Sequence, residues 1–148
     1  MKRGKVLIIG PVGSGKSTLA KRLLGEEHSS AKKTQSLEYA NWIIDSPGEY
    51  SQNPMYYRTL MATALEAKVL LIIQDATRKD STLPPNFASG FPLTPIGVIT
   101  KIDHPNADIE TATRLLRTVL PIGDIYFTSS VTLAGIMELK ERILSYLS

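Results

Sequence analysis

Gly10-Pro-Val-Gly-Ser-Gly-Lys-Ser17 fits the phosphate-binding pattern G-x-x-x-x-G-K-[ST] at every fixed position. Binding a phosphate takes backbone N–H groups turned inward around a concave loop, a path that closely spaced glycines permit. Gly10, Pro11, Val12, Gly13, Ser14, Gly15, Lys16 and Ser17, with Thr18 behind them, are therefore read as a nucleotide-phosphate cradle. Lys16 is expected to reach the β- and γ-phosphates. The Ser17 hydroxyl is expected to ligate Mg²⁺, an ion that keeps most of its waters and takes few protein oxygens. The flanks agree: Lys5-Val-Leu-Ile-Ile9 has the apolar, β-branched character of a strand, and Thr18-Leu-Ala-Lys-Arg-Leu-Leu24 that of a helix whose positive end faces the anion.

The 148 residues read as one domain, large enough to bury a core. Seventeen lysines and arginines against fourteen acids leave a net charge of +3, with no basic stripe, so a nucleic-acid partner is not expected. There is no cysteine, which excludes disulfides, thiolate metal sites and cysteine-linked lipids. No apolar leader is visible and Met1-Lys2 is not a myristoylation start, so the expectation is a cytoplasmic protein without a membrane anchor. His28 and His104 stand apart from other ligand types and suggest no metal site.

Along the chain, a first helix is expected from Lys16 to Leu24, ended by Gly25. A polar loop follows. Ser36–Tyr39 and Trp42–Ile44 read as an antiparallel hairpin, with Trp42 half-buried on its edge. Tyr57, Leu60, Met61, Ala64 and Leu65 fall at helical spacing, and Val69–Ile73 reads as a buried strand. Residues 76–95 hold four prolines and favour at most a short helix started by Pro84 or Pro85. A strand at Ile96–Ile99, a helix from Ile109 to Leu120, a strand at Ile125–Phe127 and a C-terminal helix, with Thr132 as its cap, complete an α/β pattern. Alternating strands and helices give a mostly parallel sheet covered on both faces, which binds ligands at the carboxyl ends of its strands.

Three further stations lie at such ends. Asp45-Ser-Pro-Gly48 has the spacing D-x-x-G, in which Asp45 would hold Mg²⁺ through a water and the Gly48 N–H would face the γ-phosphate. Thr100-Lys-Ile-Asp103 has the spacing [NT]-K-x-D. Its aspartate suits the two adjacent N–H donors that guanine offers and adenine lacks, while the Lys101 stem lies over the base. Thr128-Ser129-Ser130 offers hydroxyls and N–H groups near the base.

In this order, the four stations resemble the small Ras-like GTPases over essentially the whole chain. Lys32-Lys-Thr-Gln35, Ser36-Leu-Glu-Tyr39 and Asp45-Ser-Pro-Gly-Glu-Tyr50 resemble, more closely, the EutP/PduV family of ethanolamine- and propanediol-utilisation proteins. The resemblance implies a three-layer P-loop NTPase fold with one antiparallel edge hairpin, GTP or GDP with Mg²⁺ as cofactors, and association with bacterial microcompartments through a shell or other partner protein at the switch face. It also implies that Thr34 is the first-switch threonine, bound to Mg²⁺. Departures are Glu49 where Ras-like proteins commonly carry glutamine, Thr100 for the commoner asparagine, which is expected to loosen a strut to the phosphate loop, and the proline-rich stretch. Glu49 next to a γ-phosphate implies slow unassisted hydrolysis. Two other functions stay open: an ATP-dependent acetate kinase, with Arg58 or Arg78 as acceptor clamp, and a microcompartment interaction module with incidental turnover.

Overall fold

Val6–Ile9 forms β1, and its four consecutive apolar side chains divide between two cores because successive strand residues point to opposite faces. Leu7 and Ile9 face one layer of helices, Val6 and Ile8 the other. This computed structural model describes residues 4–25, 38–40, 42–81 and 83–147. The remaining elements are α1 (Lys16–Leu24), β2 (Glu38–Ala40), β3 (Ile43–Asp45), α2 (Glu49–Gln52), α3 (Tyr57–Ala64), β4 (Val69–Asp75), β5 (Thr94–Thr100), α4 (Ile109–Val119), β6 (Asp124–Phe127) and α5 (Ile136–Leu147).

The strands form one sheet in the order β2-β3-β1-β4-β5-β6, parallel except for β2, which pairs antiparallel with β3. On one face, Leu60 of α3 and Ala112, Leu116 and Val119 of α4 pack on Leu7, Ile9, Leu70 and Ile72. On the other, Leu19 and Leu23 of α1 and Leu139 and Ile143 of α5 pack on Val6, Ile8, Leu71, Ile73 and Val98. Each fully buried Leu or Ile in these rows stabilises the fold by roughly 1.5–3 kcal/mol. Their joint effect is to fix the strand ends that carry the polar stations.

The fold departs from the sequence expectation at several boundaries. The first hairpin strand runs on to Ala40, while the expected Ser36 and Leu37 lie outside the described residues; the second lies one residue further along, and Trp42 is buried with α1 and α5 rather than half-exposed. The second expected helix is found as α3 from Tyr57, and what the sequence did not suggest is the short α2 and the 3-10 turn at Pro54–Tyr56 before it, begun by Asn53, whose side chain accepts from the Met55 N–H. The proline-rich stretch has a 3-10 turn at Phe87–Gly90, after Asn86 in the left-handed region, instead of a helix started by Pro84 or Pro85. β5 begins two residues early and includes Pro95. Because the Thr94 N–H bonds Lys68 O, the next residue's missing donor faces the other side, where β6 has not yet begun to pair. Thr132 does not cap α5. Its hydroxyl accepts from the Ala134 N–H, while the helix starts past left-handed Leu133 and Gly135, at a place where a Cβ on Gly135 would lie 2.0 Å from the Phe127 carbonyl oxygen.

Candidate functional site

The expected stations converge on the carboxyl edge of the sheet. β1 runs into Gly10–Ser17, β3 ends at Asp45, β5 at Thr100 and β6 just before Thr128. In the strand order, Asp45 lies on one side of the loop and Thr100 to Asp103 on the other.

Side chains from the ends of β4 and β5 grip three successive loop carbonyls. Arg78 Nη2 donates to Val12 O at 3.1 Å, Lys101 Nζ to Gly13 O at 2.7 Å and Thr100 Oγ1 to Ser14 O at 2.6 Å. In a trans peptide the C=O and the following N–H point opposite ways, so carbonyls held outward turn the N–H groups of Gly13 and Gly15 the other way. The Ser14 N–H closes a turn on Pro11 O at 3.2 Å. Gly13 and Gly15 adopt φ of 81° and 88°, a path open to glycine. Thr100 thus does not loosen the strut: its hydroxyl makes a short, buried bond in place of an amide. Thr100→Val should lower stability by about 1–3 kcal/mol, since Ser14 O would stay buried without its donor, and the midpoint of urea unfolding measures this.

Across the loop, Lys16 Nζ lies 2.8 Å from Asp45 Oδ1 and also donates to the Ser46 carbonyl, while Ser17 Oγ donates to Asp45 Oδ2 at 3.0 Å. Ser46 is anchored in turn, its hydroxyl donating to Ile8 O at 2.6 Å. Gly48 rests on the loop itself: a Cβ there would lie 2.4 Å from the Val12 nitrogen and 2.7 Å from its Cα. The expected first-switch residue, Thr34, lies outside the described residues. Glu49 opens α2, where the helix N-terminus favours an acid.

A hydroxyl and a carboxylate side by side, Ser17 and Asp45, are hard oxygen donors of the kind Mg²⁺ takes alongside water and phosphate oxygens. Among the described residues no group of three or more His, Cys, Asp or Glu forms a self-contained metal cage. His104 uses its Nδ1 to accept from the Asn106 N–H.

At the far end of the site Ser129 Oγ donates to Asp103 Oδ1 at 2.7 Å and accepts from the N–H groups of Val131 and Thr132 at 3.2 and 3.0 Å. Ser129 therefore orients Asp103. Ser130 has its carbonyl held by Arg22 Nε of α1 at 3.1 Å, so the helix that leaves the phosphate loop also braces the loop after β6.

Asp75, Arg78 and Arg22 were not picked out as parts of this framework by sequence. Asp75 had a signal, an acid closing the apolar run of β4. It is buried, accepts from the Thr77 N–H and hydroxyl at 2.8 and 2.6 Å, and pairs with Lys101 at 2.9 Å. Burial pushes its carboxyl up, but the Thr77 and Lys101 hydrogen bonds outweigh it and hold the pKa below the ordinary carboxylate range. A carboxyl depressed in the folded state adds stability above its unfolded pKa, and this is lost as pH falls through the folded pKa. Wild-type protein should therefore lose stability steadily as pH drops below about 4. Asp75→Asn should flatten that part of the curve, as read by thermal melts at a series of pH values.

A phosphate loop after β1, an aspartate at the end of β3 and a T-K-x-D turn after β5, on five parallel strands with one antiparallel edge strand, define a P-loop protein of the GTPase type. The fold matches that of translation elongation factor SelB from Methanococcus maripaludis in complex with the GTP analogue GPPNHP, with a TM-score of 0.66 and 26% identity over 99% of this chain; the chain spans 34% of that structure's chain. It belongs to the PduV–EutP family, described as ethanolamine utilisation and propanediol utilisation, which it matches over residues 2–145. It is 38% identical to the probable acetate kinase EutP of Salmonella typhimurium over 78% of this chain and 72% of that protein. It is 30% identical to the propanediol utilization protein PduV of Citrobacter freundii over 94% of this chain and 91% of that one. Among the described residues no helix is long and apolar enough to cross a membrane.

Proposed function

We propose that the protein is a Mg²⁺-dependent guanine-nucleotide switch with slow intrinsic hydrolysis, working in association with the microcompartments of ethanolamine or propanediol utilisation. The observation that carries this reading is the Asp103 carboxylate, held by Ser129 on the same sheet edge as the phosphate loop and linked to it through Thr100 and Lys101. In this reading Gly10 to Thr18 bind the phosphates, with Lys16 on the β- and γ-groups. Ser17, Asp45 and Thr34 hold the ion, and Asp103, Lys101 and the loop at Ser129 and Ser130 read the base. The bound ion would draw charge off the phosphate oxygens.

The contact of Gly48 and Ser46 with the loop gives the switch a physical form. Lys16 now serves Asp45 and the Ser46 carbonyl; a γ-phosphate would take the ammonium and lift the segment Pro47–Glu49 from Val12. Hydrolysis would let it settle again. A partner protein of the microcompartment would recognise this face.

A second reading is supported by the EutP relatives, which are named as probable acetate kinases. Arg58 is exposed on α3 and Arg78 is engaged on the phosphate loop, so neither forms an evident clamp for a carboxylate acceptor. Incubation with GTP or ATP and Mg²⁺, with and without acetate, separates the two. The switch predicts slow release of phosphate from GTP regardless of acetate. Acetyl phosphate made from ATP and acetate, and absent in Lys16→Ala, would replace it with the kinase. An interaction module with incidental turnover predicts that Lys16→Ala still co-localises with the microcompartment.

A further inference from the structure

The three side chains that grip the phosphate loop differ in what they have left to give. Thr100 has one hydroxyl proton, donated to Ser14 O. Lys101 divides its ammonium between Gly13 O and Asp75. Arg78 brings five N–H groups, and among the described residues its side chain makes one hydrogen bond, to Val12 O.

Its position is well determined by its neighbours. The Arg78 N–H bonds Asp75 O at 3.1 Å, closing a turn whose first residue is pinned by Thr77 and Lys101. Nη2 lies 3.7 Å from the point that a Cβ on Gly13 would occupy, so the guanidinium lies in van der Waals range of the loop. Holding one carbonyl needs one donor, which a neutral amide supplies. A permanently charged planar fork with most of its donors unspent, half-buried at the rim of a phosphate cradle, is suited to phosphate oxygens.

We propose that Arg78 is the chain's own cation for phosphoryl transfer at this site, an inference that rests on the nucleotide-hydrolysing reading above. In the resting form it braces Val12. With a nucleoside triphosphate in the loop, its spare N–H groups turn to the γ-phosphate and to the oxygen bridging it to the β-phosphate. As the oxygen of a water bonds to the γ-phosphorus, the bond from that phosphorus to the bridging oxygen breaks and its electron pair stays on the departing diphosphate. One proton of the water passes to solvent and the other remains on the inorganic phosphate. Arg78 exchanges no atom; it stabilises the charge that builds on the bridging oxygen.

The test compares full-length wild type with Arg78→Ala and Arg78→Gln, which keeps an N–H donor for Val12 O but removes the charge. Binding of GDP and of a non-hydrolysable triphosphate, single-turnover phosphate release from GTP, and trapping of a GDP–aluminium fluoride complex are measured in Mg²⁺. Arg78→Gln, which keeps the strut, should bind GDP within about threefold of wild type, and both variants should release phosphate roughly a hundredfold or more slowly and fail to trap the fluoride complex. Unchanged single-turnover rates in both variants would overturn the proposal while leaving the nucleotide reading intact. So would a loss of GDP affinity in Arg78→Ala that Arg78→Gln restores together with the rate, since Arg78 would then be only a strut. A wild type that binds neither nucleotide would remove the nucleotide reading, and this inference with it.

Discussion

Replacing Asp103 by alanine should weaken GTP and GDP binding by about a hundredfold or more, while ATP and ADP affinities stay within about threefold. The carboxylate is preset, because the Ser129 hydroxyl that donates to it is itself fixed by two backbone N–H groups of its own loop. Two parallel hydrogen bonds from guanine N1 and N2 to a charged acceptor contribute roughly 1.5–3 kcal/mol each, together a factor of at least a hundred. Adenine has no such pair of donors and would lose nothing comparable. Competition binding with all four nucleotides reads the result. Equal losses for both bases would mean that the turn after β5 shapes the pocket without reading the base.

Lys16→Ala should have the second large effect, and on two properties at once. Nucleotide binding should be lost to the limit of detection, because the only lysine of the loop is the one that reaches the terminal phosphates. The folded state should also lose about 3–5 kcal/mol, because the partner carboxylate, with only 9% of the side chain exposed, would stay buried without its ammonium. Urea unfolding measures the second effect separately from the first. Adding Asp45→Asn should return much of the stability, since the uncompensated charge is gone, but none of the binding. A single variant as stable as wild type would show that Asp45 is not paired with Lys16 in solution.

The parts of this fold that follow local chemistry were legible from sequence. The G-x-x-x-x-G-K-S run, the apolar strands and the helix ended by Gly25 each depend on neighbours in the chain, and α1 is found from Lys16 to Leu24 with Gly25 left-handed at its end. Asp45 and Thr100 were found because they end strands, and strand ends meet at one edge of a parallel sheet. What escaped depends on distant partners. Nothing near Trp42 says that α1 and α5 will cover it, and nothing near Arg78 says that Val12 lies 3.1 Å away, 66 residues back in the chain. Asp75 looks like any acid after a strand until β5 brings Lys101 beside it. Thr132 is a good capping residue by type, and was displaced because Gly135 alone tolerates the close approach to Phe127.

Displacement of a fluorescent GDP analogue from the wild-type protein in Mg²⁺, by GDP, GTP, ADP and ATP in one series, tests the guanine switch most directly. The guanine nucleotides should displace the probe at concentrations about a hundredfold or more below the adenine nucleotides. Displacement by ADP or ATP at the same concentrations as GDP or GTP would contradict it.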